Sequence, residues 1–327
     1  MKLAEIGEFG FIARVRQRAE SCADLVLGIG DDCAASRPAP GELLLTSTDL
    51  LIEDVHFRRA WSDPRTLGRK SVSVNVSDVA AMGGKPASLY LGLGIPGGVA
   101  VEDLDAFADG VLEACAEYGA VLAGGDTCRS PGPWFISVTV QGRVPEGELL
   151  TRQGARPGDL LWVSGRLGDS ALALRELLAG GRPAPALAAR HLDPSARVAL
   201  GRALAVQGLA TAMIDVSDGL LADLGHILDS SVVGARVERD ALPLSSLFRD
   251  ALTAEPALLD LALAGGEDYE LLFTSPPQCA AAVAALAADG VPVTQIGRIL
   301  PQEDGLLLVD ALGRPCPLPR RGFDHFS

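Results

Sequence analysis

The sequence predicts a two-domain α/β protein, and three observations carry that expectation. Apolar runs of strand length alternate with segments of helical period along the whole chain. The length of 327 residues corresponds to about two domains. A stretch rich in proline and glycine, Pro145 to Asp159, sets the boundary, giving domains over 1–145 and 146–327. With 48% hydrophobic residues and only 5% aromatics, each core is expected to be built from Ala, Leu and Val.

In order, Glu5 to Ala19 has Ile6, Phe9, Ile12 and Val15 at helical spacing. Leu25 to Leu27 reads as a short strand leading into Gly28-Ile-Gly-Asp-Asp-Cys33, and Leu43 to Leu45 as a buried strand that breaks at Ser47, Thr48 and Asp49. Asp63-Pro64 caps and opens a helix that runs toward Ala81 and stops at Gly83-Gly84. Next come the strand Leu89 to Pro96, the helix Glu102 to Tyr118, and a short strand Val121 to Ala123 ending in Gly124-Gly125-Asp126-Thr127; the strand Phe135 to Val144 follows. The second half reads as strands over Leu160 to Ser164, Ala210 to Ile214, Glu270 to Phe273, Val291 to Ile299 and Leu306 to Val309. Its helices are expected over Ser170 to Leu178, Ser195 to Val206, Gly219 to Leu228 and Pro277 to Ala288.

Composition excludes several functions. A formal charge of −14, with Lys2, Lys70 and Lys85 the only lysines, disfavours nucleic acid as a partner. An acidic chain still binds a polyphosphate when its carboxylates hold divalent cations. The six cysteines include no CxxC pair, which argues against structural zinc and against a disulfide framework; they are expected to be reduced and mostly buried. No apolar run reaches membrane-spanning length, and Met1 to Glu20 carries charges throughout, so a soluble cytoplasmic protein is expected.

The chemistry gathers where acids stand beside glycines. Ser47, Thr48 and Asp49 offer three oxygens at an expected strand end, where ligands of open α/β sheets collect; a plain Asx/Ser turn is the alternative. Oxygen donors without cysteine favour Mg²⁺ over zinc. Asp31 and Asp32 are adjacent carboxylates that repel unless a cation or a helix N-terminus lies by them, and a solvated turn is the other reading. Ser71, Asn75 and Asp78 share one helix face among valines, forming either a site or an exposed face. Asp215 and Asp218 follow a strand and precede a helix, where capping accounts for one of them but not both. Gly265-Gly-Glu-Asp-Tyr269 is a further glycine-braced acidic turn. Gly92, Gly94 and Gly97 match GxGxxG, but Pro96 to Gly98 prolong the loop before any helix, so the dinucleotide reading is set aside. No GxxxxGK[ST] is present. Phosphoryl transfer suits such an inventory, because it depends on positioning and charge neutralisation more than on covalent help.

GIGDDCA, STDLLIEDVHF, NVSDVAAMG, GGDT, DVSDGL, GGEDYEL and the terminal GFDHF occur in this order over nearly the whole chain. Together they resemble the thiamine-monophosphate kinase family, in the superfamily of aminoimidazole ribonucleotide synthetase and selenophosphate synthetase. The resemblance implies direct in-line transfer from ATP to thiamine monophosphate, with several Mg²⁺ ions and with no covalent nucleophile or general base. It implies a homodimer in which the N-terminal sheets form a barrel across the two subunits, and a C-terminal α/β sandwich. By motif, Asp32, Ser47, Thr48, Asp49, Asp78, Asp126, Asp215 and Asp218 correspond to magnesium ligands. Gly125, Arg152 and Ser217 correspond to ATP contacts, and His56, Glu267 and Phe323 to contacts of thiamine monophosphate. Asp31 is assigned behind the ligands, and Asp54 stands where the family is expected to have glycine. Three rivals are weighed: an ATP-dependent synthetase of the same superfamily, a nicotinamide oxidoreductase resting on Gly92, Gly94 and Gly97, and a metal-binding protein without catalysis. Against the first, this chain has no early reactive cysteine in a glycine-rich loop, and its terminal GFDHF fits the kinase better.

Overall fold

The computed structural model of the chain describes residues 14–19, 25–27, 35–36, 39–286 and 290–319. Asp31, Asp32 and Phe323, with most of the expected first helix, lie outside these residues; 14–18 are helical. The chain divides into two compact units, one over 1–79 and 84–147 and the other over 80–83 and 148–327. No helix among the described residues is long and apolar enough to cross a membrane.

In the first unit, β1 (Leu25–Leu27) pairs with β2 (Ala35–Ser36) as a small antiparallel ribbon. The main elements are β3 (Glu42–Ile52), α1 (Pro64–Ala81), β4 (Lys85–Pro96), α2 (Val101–Tyr118), β5 (Val121–Ser130) and β6 (Phe135–Pro145). The four long strands form a sheet in the order β3-β6-β4-β5, parallel only between β4 and β5. It is open: β3 and β5 are its edges, and no sheet among the described residues closes into the expected barrel.

Helix α1 begins where Asp63-Pro64 predicts, because Asp63 Oδ1 accepts the Thr66 N–H at 3.0 Å and Oδ2 accepts the Thr66 hydroxyl at 2.7 Å. It meets α2 through glycine. A Cβ on Gly110 would stand 1.9 Å from the Arg65 carbonyl oxygen, and one on Gly68 would stand 2.1 Å from that of Phe107. The two helix backbones therefore touch where any side chain would wedge them apart.

The second unit contains β7 (Leu160–Ser164), α3 (Asp169–Leu178), α4 (Pro185–Leu192), α5 (Val198–Val206), β8 (Ala212–Asp215) and α6 (Leu220–Ser231). It continues with β9 (Gly234–Glu238), α7 (Ser246–Ala254), α8 (Leu259–Ala264), β10 (Leu271–Ser275), α9 (Ala280–Ala285), β11 (Val293–Leu300), β12 (Leu306–Val309) and β13 (Pro315–Cys316). The sheet order is β13-β12-β9-β11-β7-β10-β8. Strands β7, β8 and β10 are buried at every position, so both faces are covered. Alternation sorts their side chains. Leu161, Val163, Ile214 and Leu272 join a core with α3, α4, α6, α7 and α8, whereas Leu160, Trp162, Met213, Leu271 and Phe273 join another with α5 and α9.

The sequence reading passed over α4, α7, α8 and β9, all of them short. Of the four described cysteines only Cys115 is buried, which corrects the expectation that most are; Cys128 is exposed, and all four are free.

One buried acid ties the turn before β10 to the start of α3. Asp268 accepts the Gly168 N–H with both oxygens, at 2.9 and 3.1 Å, and burial pushes its carboxyl up to about 8 despite that bond and nearby Arg190.

Two outcomes follow. Gly110→Ala would gain about 1 kcal/mol from helix propensity alone, but overlap with the Arg65 carbonyl is expected to make it destabilising by about 2 kcal/mol. A melting temperature at or above the parent's would refute the close approach. For Asp268, the folded chain keeps a proton that the unfolded chain releases from about pH 4 upward, so this group's contribution falls as pH rises toward about 8. Asp268→Asn lacks that slope, and its melting temperature relative to the parent should rise between about pH 5 and about pH 8; a constant offset would contradict the burial argument.

Candidate functional site

In the first unit, β3 pairs with β6 along all eleven residues from Glu42 to Ile52. Ser47, Thr48 and Asp49 therefore lie in mid-strand, not at the strand end that the sequence predicts. Leu50, Leu51 and Ile52 prolong the strand beyond them. Alternation places Ser47 and Asp49 on the face of buried Leu45 and Leu51, and Thr48 on the other.

On that inner face the polar row of α1 meets the strand. Ser47 Oγ donates to Asp78 Oδ2 at 2.5 Å, and the Asp49 N–H donates to Asn75 Oδ1 at 3.1 Å. Asn75 Nδ2 donates to the Ser71 carbonyl at 2.9 Å, and Ser71 Oγ to that of Gly68 at 2.8 Å. The row is thus buried against the sheet, which rules out the exposed-face reading. Thr48 Oγ1 meets the Val138 carbonyl at 3.1 Å and Thr139 Oγ1 at 3.0 Å.

Asp126 is placed elsewhere. β5 continues to Ser130, so Gly124, Gly125 and Asp126 also lie within a strand. Asp126 pairs with Gly92, Gly92 with Ser137 and Ser137 with Leu50, and directly paired residues share a face. Asp126 therefore projects on the face of Leu50, opposite to that of Asp49, from the far edge of the sheet. Three strand spacings, about 14 Å, separate it from β3. Gly125 backs onto Leu91, whose carbonyl a Cβ would meet at 2.0 Å. Gly92 and Gly94 lie inside β4 and open no helix, so the GxGxxG match has no dinucleotide geometry.

His56 is half-buried, and its Nδ1 accepts the Ile52 N–H at 3.1 Å, which puts the proton of the neutral ring on Nε2. Asp54, two residues earlier, has φ 68°. The loop thus keeps the left-handed turn that glycine adopts freely, with aspartate in its place.

In the second unit Asp215 ends β8, buried, and Ser217 and Asp218 follow in the loop before α6. Neither aspartate caps that helix: its N-cap is Gly219, at φ 116°. Asp223, in the first turn of α6, does the holding. Its Oδ2 accepts the N–H groups of Ser217, Asp218 and Gly219 at 3.0, 3.1 and 3.1 Å. Burial, together with the charge of Asp218, pushes its carboxyl up to about 7 against those three bonds. The available signal was an acid four residues after the N-cap.

The two acidic turns of this unit are joined through the backbone. The Glu267 N–H donates to the Ser217 carbonyl at 2.7 Å, and the Tyr269 N–H to that of Val216 at 2.9 Å. Gly266 makes the approach possible, since a Cβ there would stand 2.3 Å from the Ser217 carbonyl oxygen. Glu267 and Tyr269 hold φ of 65° and 50° without being glycine, a conformation that costs on the order of 1–3 kcal/mol each. Their neighbours hold it. Glu270, fully buried, accepts from Ser164 Oγ at 2.6 Å, from Arg190 at 2.6 Å, and from Arg197 at 2.6 and 2.7 Å. Arg152 is exposed, with its carbonyl accepting the Ser231 hydroxyl at 3.1 Å.

The structure therefore brings together Ser47, Asp49 and Asp78 in one unit, and Asp215, Ser217, Asp218 and Glu267 in the other. Among the described residues, no three His, Cys, Asp or Glu side chains stand close enough to hold a metal ion by themselves. The candidate donors are nonetheless all oxygens, a set that suits a hard divalent cation.

Family models described as AIR synthase related protein match this chain, the N-terminal domain over residues 30–144 and the C-terminal domain over 156–309. A thiamine-monophosphate kinase of Escherichia coli O157:H7 is 43% identical over 328 aligned positions, which cover 98% of each chain. The crystal structure of thiamine-monophosphate kinase from Stenotrophomonas maltophilia K279a is similar with a TM-score of 0.84 at 40% identity, covering 95% of this chain and 98% of that one. The structure of AaThiL complexed with AMPPCP and TMP is similar with a TM-score of 0.77 at 33% identity, covering 100% of this chain and 99% of that one. Likeness of this extent runs through both units and the motifs within them: the chain belongs to the thiamine-monophosphate kinase family of AIR synthase-related proteins.

Proposed function

We propose that this protein transfers the terminal phosphoryl group of ATP to thiamine monophosphate, giving thiamine diphosphate, by direct in-line displacement. One observation supports this beyond the kinship: the 2.7 Å backbone bond between Ser217 and Glu267. It makes neighbours of the position assigned to ATP and the position assigned to the acceptor, as a direct transfer requires. In the relative whose structure holds AMPPCP and TMP, donor analogue and acceptor are bound together.

In this reading Gly125, Arg152 and Ser217 contact ATP, while His56, Glu267 and Phe323 hold thiamine monophosphate. Glu267 offers a carboxylate to a cationic acceptor, and Phe323 offers a ring face. No general base is assigned, because a phosphate monoester with a second pKa of about 6 is already anionic near neutrality. Asp32, Ser47, Thr48, Asp49, Asp78, Asp126, Asp215 and Asp218 are assigned to several Mg²⁺ ions, which when bound would neutralise the charge of the phosphates. Ser47 and Asn75 fix Asp78 and the backbone of Asp49 beforehand.

The first unit also supports the homodimer. The sheet face opposite to that of Ser47 and Asp49 exposes Leu44 and Leu50, and β3 and β5 are edges among the described residues, as closure of two sheets into a barrel requires. A cytoplasmic location completes the reading.

The direct test is incubation with Mg-ATP and thiamine monophosphate, assayed for the diphosphate; failure to form it would end the proposal. Asp49→Asn and Asp126→Asn should each lower turnover at limiting Mg²⁺ by at least about a hundredfold, with melting unchanged. Parent-like rates in both would contradict the ligand assignment. Phe323→Ala should raise KM for thiamine monophosphate about fivefold and leave that for ATP nearly unchanged, whereas equal changes would remove the stacking role.

A further inference from the structure

Helix α4 grips the segment that carries Glu267. Its consecutive residues Arg190 and His191 both reach that segment. Arg190 donates to the Asp268 carbonyl oxygen at 3.0 Å and to Glu270 Oε1 at 2.6 Å. His191, only 2% exposed, sets Nδ1 3.1 Å from Glu267 Oε2. The Ser170 hydroxyl, from the first turn of α3, stands 3.1 Å from the same nitrogen.

The inventory of donors decides who gives what. An ionised carboxylate only accepts, so the 3.1 Å contact with Glu267 is a hydrogen bond when the ring carries a proton on Nδ1, with the Ser170 oxygen beside the same nitrogen. The Glu267 side chain is 26% exposed, so one flank of the carboxylate rests on a buried imidazole while the group remains accessible. Its backbone is fixed as well, at φ 65° with the N–H on Ser217. Backbone and carboxylate are thus held from two sides.

We infer that His191 is a positioning residue: with Ser170 it fixes the Glu267 carboxylate in the orientation that receives the thiamine moiety. The inference rests on the reading of Glu267 as an acceptor contact. A carboxylate already ordered loses less freedom when the acceptor arrives, so the effect falls on binding of that substrate and spares ATP.

The test compares KM for thiamine monophosphate and for ATP in Glu267→Gln, His191→Phe, His191→Asn and Ser170→Ala, with folding checked by thermal melting. His191→Phe keeps a ring of similar size without the N–H and is expected to raise KM for thiamine monophosphate about tenfold, leaving that for ATP within about twofold. His191→Asn, whose amide N–H stands in for Nδ1–H, should return it to within about threefold of the parent. Ser170→Ala keeps the imidazole and should give about a threefold rise for thiamine monophosphate alone; it carries the test if His191→Phe does not fold. An unchanged KM for thiamine monophosphate in the His191→Phe or Ser170→Ala protein, or equal rises for both substrates, overturns the inference while Glu267→Gln still raises that KM. If Glu267→Gln itself leaves it unchanged, the acceptor-contact reading of Glu267 is what falls, and the role of His191 falls with it.

Discussion

The hydrogen bond from the Glu267 amide to the Ser217 carbonyl is the contact on which the second unit's candidate site depends. It joins two acidic turns that would otherwise repel, and it demands left-handed backbone at Glu267 and Tyr269. Buried acids elsewhere in the same turns supply the restraint: Asp223 gathers three N–H groups of one turn, while Asp268 and Glu270 tie the other to α3, α4 and β7. Acids that hold the backbone are buried; acids assigned to ligands, Asp218 and Glu267, remain partly accessible. Asp215 is the exception, buried at the end of β8.

The first unit follows a different rule, that of a pleated strand. Because successive side chains alternate, a single strand offers Ser47 and Asp49 to α1 and Thr48 to the opposite face. The same rule sends Asp126 away from them, across the sheet and to its other edge. Asp126 therefore stands on the face of Thr48, opposite to that of Ser47 and Asp49, and at the other edge of the sheet. Pairing of such open edges with a second chain is what the homodimer reading supplies.

Much of this was legible in the residues. Asp63-Pro64 marked the start of α1, and Gly83-Gly84 its end, because capping and the lack of a Cβ are local effects. The polar spacing of Ser71, Asn75 and Asp78 marked one helix face correctly, but not which way it pointed; burial against β3 is a property of the pair. Strand ends were misjudged at Ser47 and Gly124, since hydroxyls, acids and glycines read locally as turn residues while the partner strands carry the pairing straight through. Short α4 left no clear pattern, and with it His191 went unnoticed as a neighbour of Glu267.

By itself the sequence determined the two-domain α/β class, the order of acidic glycine-braced motifs, and from these the family, since composition, periodicity and motif order are properties of the chain read along its length. Tertiary structure alone decided which acids anchor and which are presented. Asp223 takes the hold that Asp215 and Asp218 were positioned to take, and His191 meets Glu267 from a helix dozens of residues earlier. The physical reason is that hydrogen-bond partners and burial are fixed by packing between distant segments, and no local pattern records which segments will meet.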